Sequence, residues 1–129
     1  MKKYKLWAII IFIVLVGLIF LLLKVNNKVP EKSTKESVIE LFSKKYNKST
    51  NVTVVEVGLD SGSFARGSVN FTDELGGSAW FAVKTAKGWE LVFDGNGIVP
   101  CDVAYNYNFP KDIIPQCIET KNNNELITR

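Results

Sequence analysis

The chain has 129 residues, of which 16 are lysine or arginine and 13 are aspartate or glutamate, and it contains no histidine. Five of the basic residues flank one long apolar run, so the remainder of the chain is near −2, and the basic surplus does not predict a nucleic-acid partner. Without histidine the chain lacks the commonest general base and the commonest metal ligand.

The apolar run starts at Leu6 and ends at Leu23, and its eighteen residues include no charge, no amide side chain and no proline. As a helix it would cover roughly 27 Å, close to the ~30 Å hydrocarbon core of a bilayer. The run is longer than the apolar part of a cleaved signal peptide, and no small-x-small cleavage pattern follows it. The sequence therefore predicts an uncleaved transmembrane helix over residues 6–23, after a cytoplasmic tail at 1–5 and before a linker at 24–32.

The remaining residues, 33–129, are enough for one modest domain. This domain opens with a helix signature, because Ser33 and Glu36 form the two ends of a capping box. Apolar residues then recur at three- and four-residue spacing, at Val38, Ile39, Leu41, Phe42 and Tyr46. This spacing predicts an amphipathic helix from about Ser33 to Tyr46.

Four stretches of strand character follow the helix, over residues 52–57, 64–71, 79–86 and 89–94. Short turn sequences separate them, which predicts an antiparallel meander. A sheet with one apolar face needs a cover, and the amphipathic helix is the available one.

The last of the four strands predicts which side chains meet the helix. Trp89, Leu91 and Phe93 alternate, so they are expected on the helix side, with Val92 pointing away. The chain after Asp94 is expected to be irregular. The predicted fold class is thus α+β: one transmembrane helix, an amphipathic helix on a four-stranded meander, and an irregular C-terminal region closed by a disulfide.

Cys101 and Cys117 are the two cysteines, sixteen residues apart. No CxxC spacing or histidine is present to complete a zinc site, so a structural disulfide is predicted, worth ~3 kcal/mol in the chain-entropy model. A disulfide implies an oxidising compartment. Lysines on both sides of the run leave its orientation nearly balanced, so the cysteines place the domain outside the cytoplasm and the N-terminus inside.

No catalytic residue, metal or cofactor is predicted. The sequence from Asp94 to Gly97 resembles the start of a calcium loop, but Ile98 occupies the third ligand position and no glutamate follows at the required spacing. A plain turn is the preferred interpretation. Asp73 and Glu74 form a carboxylate pair that is expected in a solvated loop.

Three aromatic residues, Tyr105, Tyr107 and Phe109, alternate inside the predicted disulfide loop. They could cover the open edge of the sheet or present a contact surface to a partner. The sequence is compatible with both arrangements.

The C-terminal part of the domain resembles a family of uncharacterised bacterial domains carried behind a single N-terminal span or a lipoprotein signal. The resemblance covers roughly residues 36–129 and is carried by Trp89, Val92, Phe93, Asp94, Gly95, Gly97, Cys101, Phe109, Pro110, Asp112, Pro115 and Cys117. It implies location and architecture and no activity. The helix followed by a meander is also similar to cystatin-like and nuclear-transport-factor-like rolls, a fold analogy that implies no function.

The expected function is a single-pass, membrane-anchored domain on the outer face of the cell membrane that binds a protein, a peptide or an envelope component without catalysis. One alternative is a structural subunit of a membrane complex assembled through the transmembrane helix. A second is an enzyme that uses Asp94 or Asp73.

Overall fold

The structure is a computed structural model that describes residue 7 and residues 11–19, 31–121 and 123–129. Trp7 and residues 11–19 are helical, and their side chains are exposed. No helix within these described ranges is both long and apolar enough to cross a membrane. The span predicted over residues 6–23 lies partly outside them. The chain divides into two compact units, Met1–Glu31 and Lys32–Arg129.

The second unit begins with helix α1, Thr34–Tyr46, as the sequence predicts. The Ser33 hydroxyl accepts a hydrogen bond from the Glu36 amide at 3.2 Å, and the Glu36 carboxylate accepts one from the Ser33 amide at 2.9 Å. These bonds complete the capping box. The hydrogen bonds that the Ser33 amide and hydroxyl donate to the Glu36 carboxylate hold the pKa of Glu36 below its ordinary value.

Four antiparallel strands follow in the order β1-β2-β3-β4, which confirms the predicted meander. They are β1 Thr53–Asp60, β2 Phe64–Phe71, β3 Gly77–Thr85 and β4 Gly88–Gly95. The predicted first turn is present: Gly62 has a φ of 82°, and its amide donates to the Asp60 carboxylate at 2.7 Å.

Helix α1 covers one face of this sheet. Its buried residues Val38 and Phe42 pack on the sheet residues Val55, Ala65, Val69, Trp80 and Ala82, which are also buried. Trp89 and Leu91 are partly buried against the same cluster. The predicted helix-on-sheet core is therefore confirmed for these residues.

The prediction for Phe93 is wrong. The pairing of β3 with β4 shifts between Phe81 and Ala82, which lie opposite Phe93 and Leu91, so Val92 is an extra residue in a β-bulge. Val92 and Phe93 consequently both pack on the other side of the sheet, away from α1.

The prediction of an irregular C-terminal region is also wrong. This region contains a short helix α2, Cys101–Asn106, and a separate two-stranded sheet of β5, Gln116–Glu119, and β6, Glu125–Thr128. Between the two strands, Asn123 and Asn124 have positive φ, as in a turn, and Asn122 lies outside the described residues.

The C-terminal region covers part of the second face of the large sheet and builds a second core there. Its fully buried members include Ile113 and Ile114, and the sheet contributes Leu59, Phe64, Phe81, Val83, Val92 and Phe93. The sheet is thus packed on both faces, and this second layer positions the candidate site.

Candidate functional site

The predicted disulfide is present and anchors the C-terminal region. It joins the first residue of α2, Cys101, to Cys117 in β5, with their Cα atoms 4.9 Å apart. Both cysteines are buried in the second core. The amide of Ile118 adds a 2.9 Å hydrogen bond to the carbonyl of Val99, so a second contact beside the disulfide joins the start of α2 to β5.

The three aromatic residues of the disulfide loop have different surroundings. Phe109 is buried, with its ring 4.9 Å from that of Phe64 and 6.2 Å from that of Phe81 between centroids. It therefore packs on the second face of the sheet and not along an edge. Tyr105 and Tyr107 are 52% and 38% exposed. The structure thus separates one core residue from two surface rings.

Arg129 packs against Tyr105, a role that the sequence patterns do not indicate. Its guanidinium donates to the carbonyl oxygens of Phe109 and Ile114 at 2.8 and 3.1 Å. The same guanidinium lies 5.3 Å from the centre of the Tyr105 ring, within cation–π range. We call Tyr105, Tyr107 and Arg129 the tyrosine surface.

Asp94, the first residue of the calcium-like sequence, is engaged by helix α1. Its carboxylate accepts hydrogen bonds from the Tyr46 hydroxyl and the Lys45 ammonium, and its side chain is only 5% exposed. The bond to the carboxylate, with burial, raises the pKa of Tyr46 to about 12. This contact follows from the bulge in β4, which turns Asp94 to the α1 side.

The second carboxylate pair, Asp73 and Glu74, lies in the loop between β2 and β3. Both carboxylates form ion pairs with Lys48, at 2.7 and 2.6 Å. These bonds raise the pKa of Lys48 and lower that of Asp73. The pair therefore fastens the loop to the chain that follows α1. The next residue, Leu75, is fully exposed.

Among the residues that the structure describes, no group of three or more histidine, cysteine, aspartate or glutamate side chains is arranged to hold a metal ion. No protein-family model, curated protein or solved structure matches the chain.

Proposed function

We propose that this chain is a membrane-anchored binding protein whose domain lies outside the cytoplasm and contacts a protein or peptide partner through the tyrosine surface. The observation that carries the proposal is the exposure of Tyr105 in α2 and of Tyr107 just after it, on a segment that a buried disulfide anchors and beside which Arg129 is fixed by two hydrogen bonds.

The chemistry of the tyrosine surface suits a protein partner. Tyrosine and arginine are enriched in protein interfaces and among the residues that dominate binding energy. A ring that is already ordered loses little conformational entropy when it binds, so a fixed platform favours affinity. The hydrogen bonds of Arg129 to the carbonyls of Phe109 and Ile114 fix its guanidinium beside the Tyr105 ring, and this contact orders the ring.

The membrane location rests on the uncharged run over residues 6–23 and on the disulfide. The run has the length of a bilayer span, and the disulfide favours an oxidising compartment. The non-catalytic role rests on the carboxylates that were candidates for catalysis. The Asp94 carboxylate is bound by Lys45 and Tyr46, and the Asp73 carboxylate forms an ion pair with Lys48. Each carboxylate therefore has a structural role.

The location is tested by adding protease to spheroplasts that express the full chain. We expect digestion of the part after residue 23 and protection of the N-terminus. Protection of the whole domain would place it in the cytoplasm and overturn this part of the proposal.

The contact surface is tested by photo-crosslinking in intact membranes, with a benzophenone amino acid at position 105 or 107. We expect a discrete adduct from both positions and none from position 111, an exposed lysine that serves as the matched control. The adduct should weaken when the other tyrosine is changed to alanine. Adducts that form only from positions within residues 6–23 would instead favour a subunit assembled through the membrane helix.

A further inference from the structure

The C-terminal region leaves part of the second sheet face uncovered. Two cross-strand rows lie there: Glu56, Ser68 and Ala79 are register partners, and so are Val54, Asn70 and Gly77. All six of these residues are exposed. We call these two rows, with Arg66 beside them, the open face.

A shallow depression of about 280 Å³ lies on the open face where it meets the covered part of the sheet. It is lined by Gly58, Arg66, Gly67, Ala79 and Phe81. Arg66 and Phe81 are direct cross-strand partners and contribute the large side chains of the lining. The two glycines and the alanine contribute little or no side chain. The depression thus combines a guanidinium, an aromatic ring and an accessible apolar floor.

Arg66 has an unused hydrogen-bonding capacity. Its residue is partly buried, yet within residues 31–121 and 123–129 its guanidinium makes no hydrogen bond or ion pair. Arg129, the other arginine of the sequence, donates to two carbonyl oxygens. A guanidinium carries five donors in a planar fork that matches an oxyanion, and its interaction is strengthened where water is partly excluded.

We propose that the open face binds an extended peptide segment of a partner, with an aspartate or glutamate side chain of that segment paired to Arg66 and an adjacent apolar side chain on Ala79 and Phe81. This site is separate from the tyrosine surface and does not depend on it.

Charge and shape select this occupant. Arg66 is the cation that lines the depression and Glu56 lies in the neighbouring row, which suits a singly charged carboxylate better than a phosphate dianion. A small molecule needs a cleft that encloses most of its surface. The open face instead continues as two exposed cross-strand rows without such a cleft, so the bound group should project from a larger chain that lies across the sheet.

The proposal is tested by NMR titration of the full chain in detergent micelles. The probes are a capped pentapeptide of sequence ALDLA, its ALNLA counterpart without the charge, and inorganic phosphate. We expect ALDLA to shift the Arg66 side-chain Nε–H resonance and the amides of Gly58, Gly67 and Ala79 in a saturable manner. ALNLA and phosphate should bind at least roughly tenfold more weakly.

Three variants assign the effect to the site. Arg66→Gln should weaken ALDLA binding at least roughly tenfold, and Ala79→Phe should block it by filling the depression while leaving Arg66 intact. Lys111→Gln removes an exposed charge outside the open face and should leave binding unchanged.

Equal binding of ALDLA and ALNLA, shifts confined to other surfaces, or undiminished binding by Arg66→Gln would overturn the proposal. Phosphate binding at Arg66 that matches or exceeds that of ALDLA would also overturn it, in favour of a simple anion site. Loss of crosslinking at Tyr105 and Tyr107 would not affect it.

Discussion

The hydroxyl of Tyr46 donates a hydrogen bond to the carboxylate of Asp94, a residue 48 positions later in the sequence. Lys45 donates to the other carboxylate oxygen. The last turn of α1 is thereby tied to the end of β4, the strand farthest from β1 in the sheet. Because the Asp94 side chain is almost fully buried, these two donors offset the cost of removing its carboxylate from water.

Removal of either partner of this contact should destabilise the domain. We expect Tyr46→Phe to lower the free energy of unfolding by about 1 kcal/mol and Asp94→Ala by about 2 kcal/mol, since the carboxylate bonds are charge-assisted. Guanidinium unfolding of the full chain in mild detergent, followed by tryptophan fluorescence, measures both. Tyr107→Phe is the matched control and should change the stability by less than about 0.5 kcal/mol. Stability unchanged in Asp94→Ala would show that the contact contributes nothing.

The same contact predicts a loss of stability at alkaline pH. The folded pKa of Tyr46 is about 12, above its ordinary value of 10.0, because its hydroxyl is hydrogen-bonded to Asp94. A group whose folded pKa is raised contributes stability that is complete below the unfolded pKa and disappears as the pH rises through the folded pKa. This contribution should therefore decline between pH 10 and pH 12.

Absorbance at 295 nm, which follows tyrosinate formation, and unfolding curves across this range provide the measurement. Tyr46→Phe should remove the absorbance step near pH 12 and flatten the stability profile. If the variant keeps the same alkaline profile as the unchanged chain, another group must be responsible.

The contact between Tyr46 and Asp94 also marks where sequence patterns stop predicting this fold. Strict alternation along β4 would place Phe93 on the α1 side of the sheet and Asp94 on the side away from α1. The bulge at Val92 exchanges the faces on which Phe93 and Asp94 lie. The apolar residues around Val92 are compatible with a strand that has the bulge and with one that lacks it. Only the packing of two layers on one sheet decides between them.

Helix α1 was predictable because its capping box and apolar spacing are local signals. The C-terminal elements carry no comparable signal. Helix α2 has six residues and β5 and β6 have four each, which is too short for a hydrophobic period to emerge. These elements are held in place by the disulfide and by Ile113 and Ile114, which are buried against strands distant in the sequence. The role of Arg129 depends on backbone carbonyls and leaves no pattern in the sequence.

Gly67 is predicted to tolerate no side chain. A Cβ atom at this position would lie 1.9 Å from the Glu56 carbonyl oxygen and 2.8 Å from the Trp80 ring. Gly67→Ala should therefore destabilise the domain by more than about 3 kcal/mol, because β1 or the buried indole must move. Gly97→Ala is the matched control, since a Cβ there meets nothing within 4 Å. Thermal melts of the two variants should differ clearly, and equal melting temperatures would contradict the close packing of β1, β2 and Trp80.

The last prediction separates the core residue of the disulfide loop from its contact residues. Phe109 is buried against Phe64 and Phe81, so Phe109→Ala should lower the free energy of unfolding by about 3–5 kcal/mol. Tyr107 is partly exposed, so Tyr107→Ala should cost less than about 1 kcal/mol and should instead weaken the crosslinked adduct formed from position 105. Guanidinium unfolding and crosslinking yield, measured on the same preparations, give the two readouts. If Tyr107→Ala destabilises the domain as much as Phe109→Ala, both rings belong to the cover of the second core, and the tyrosine surface has no binding role.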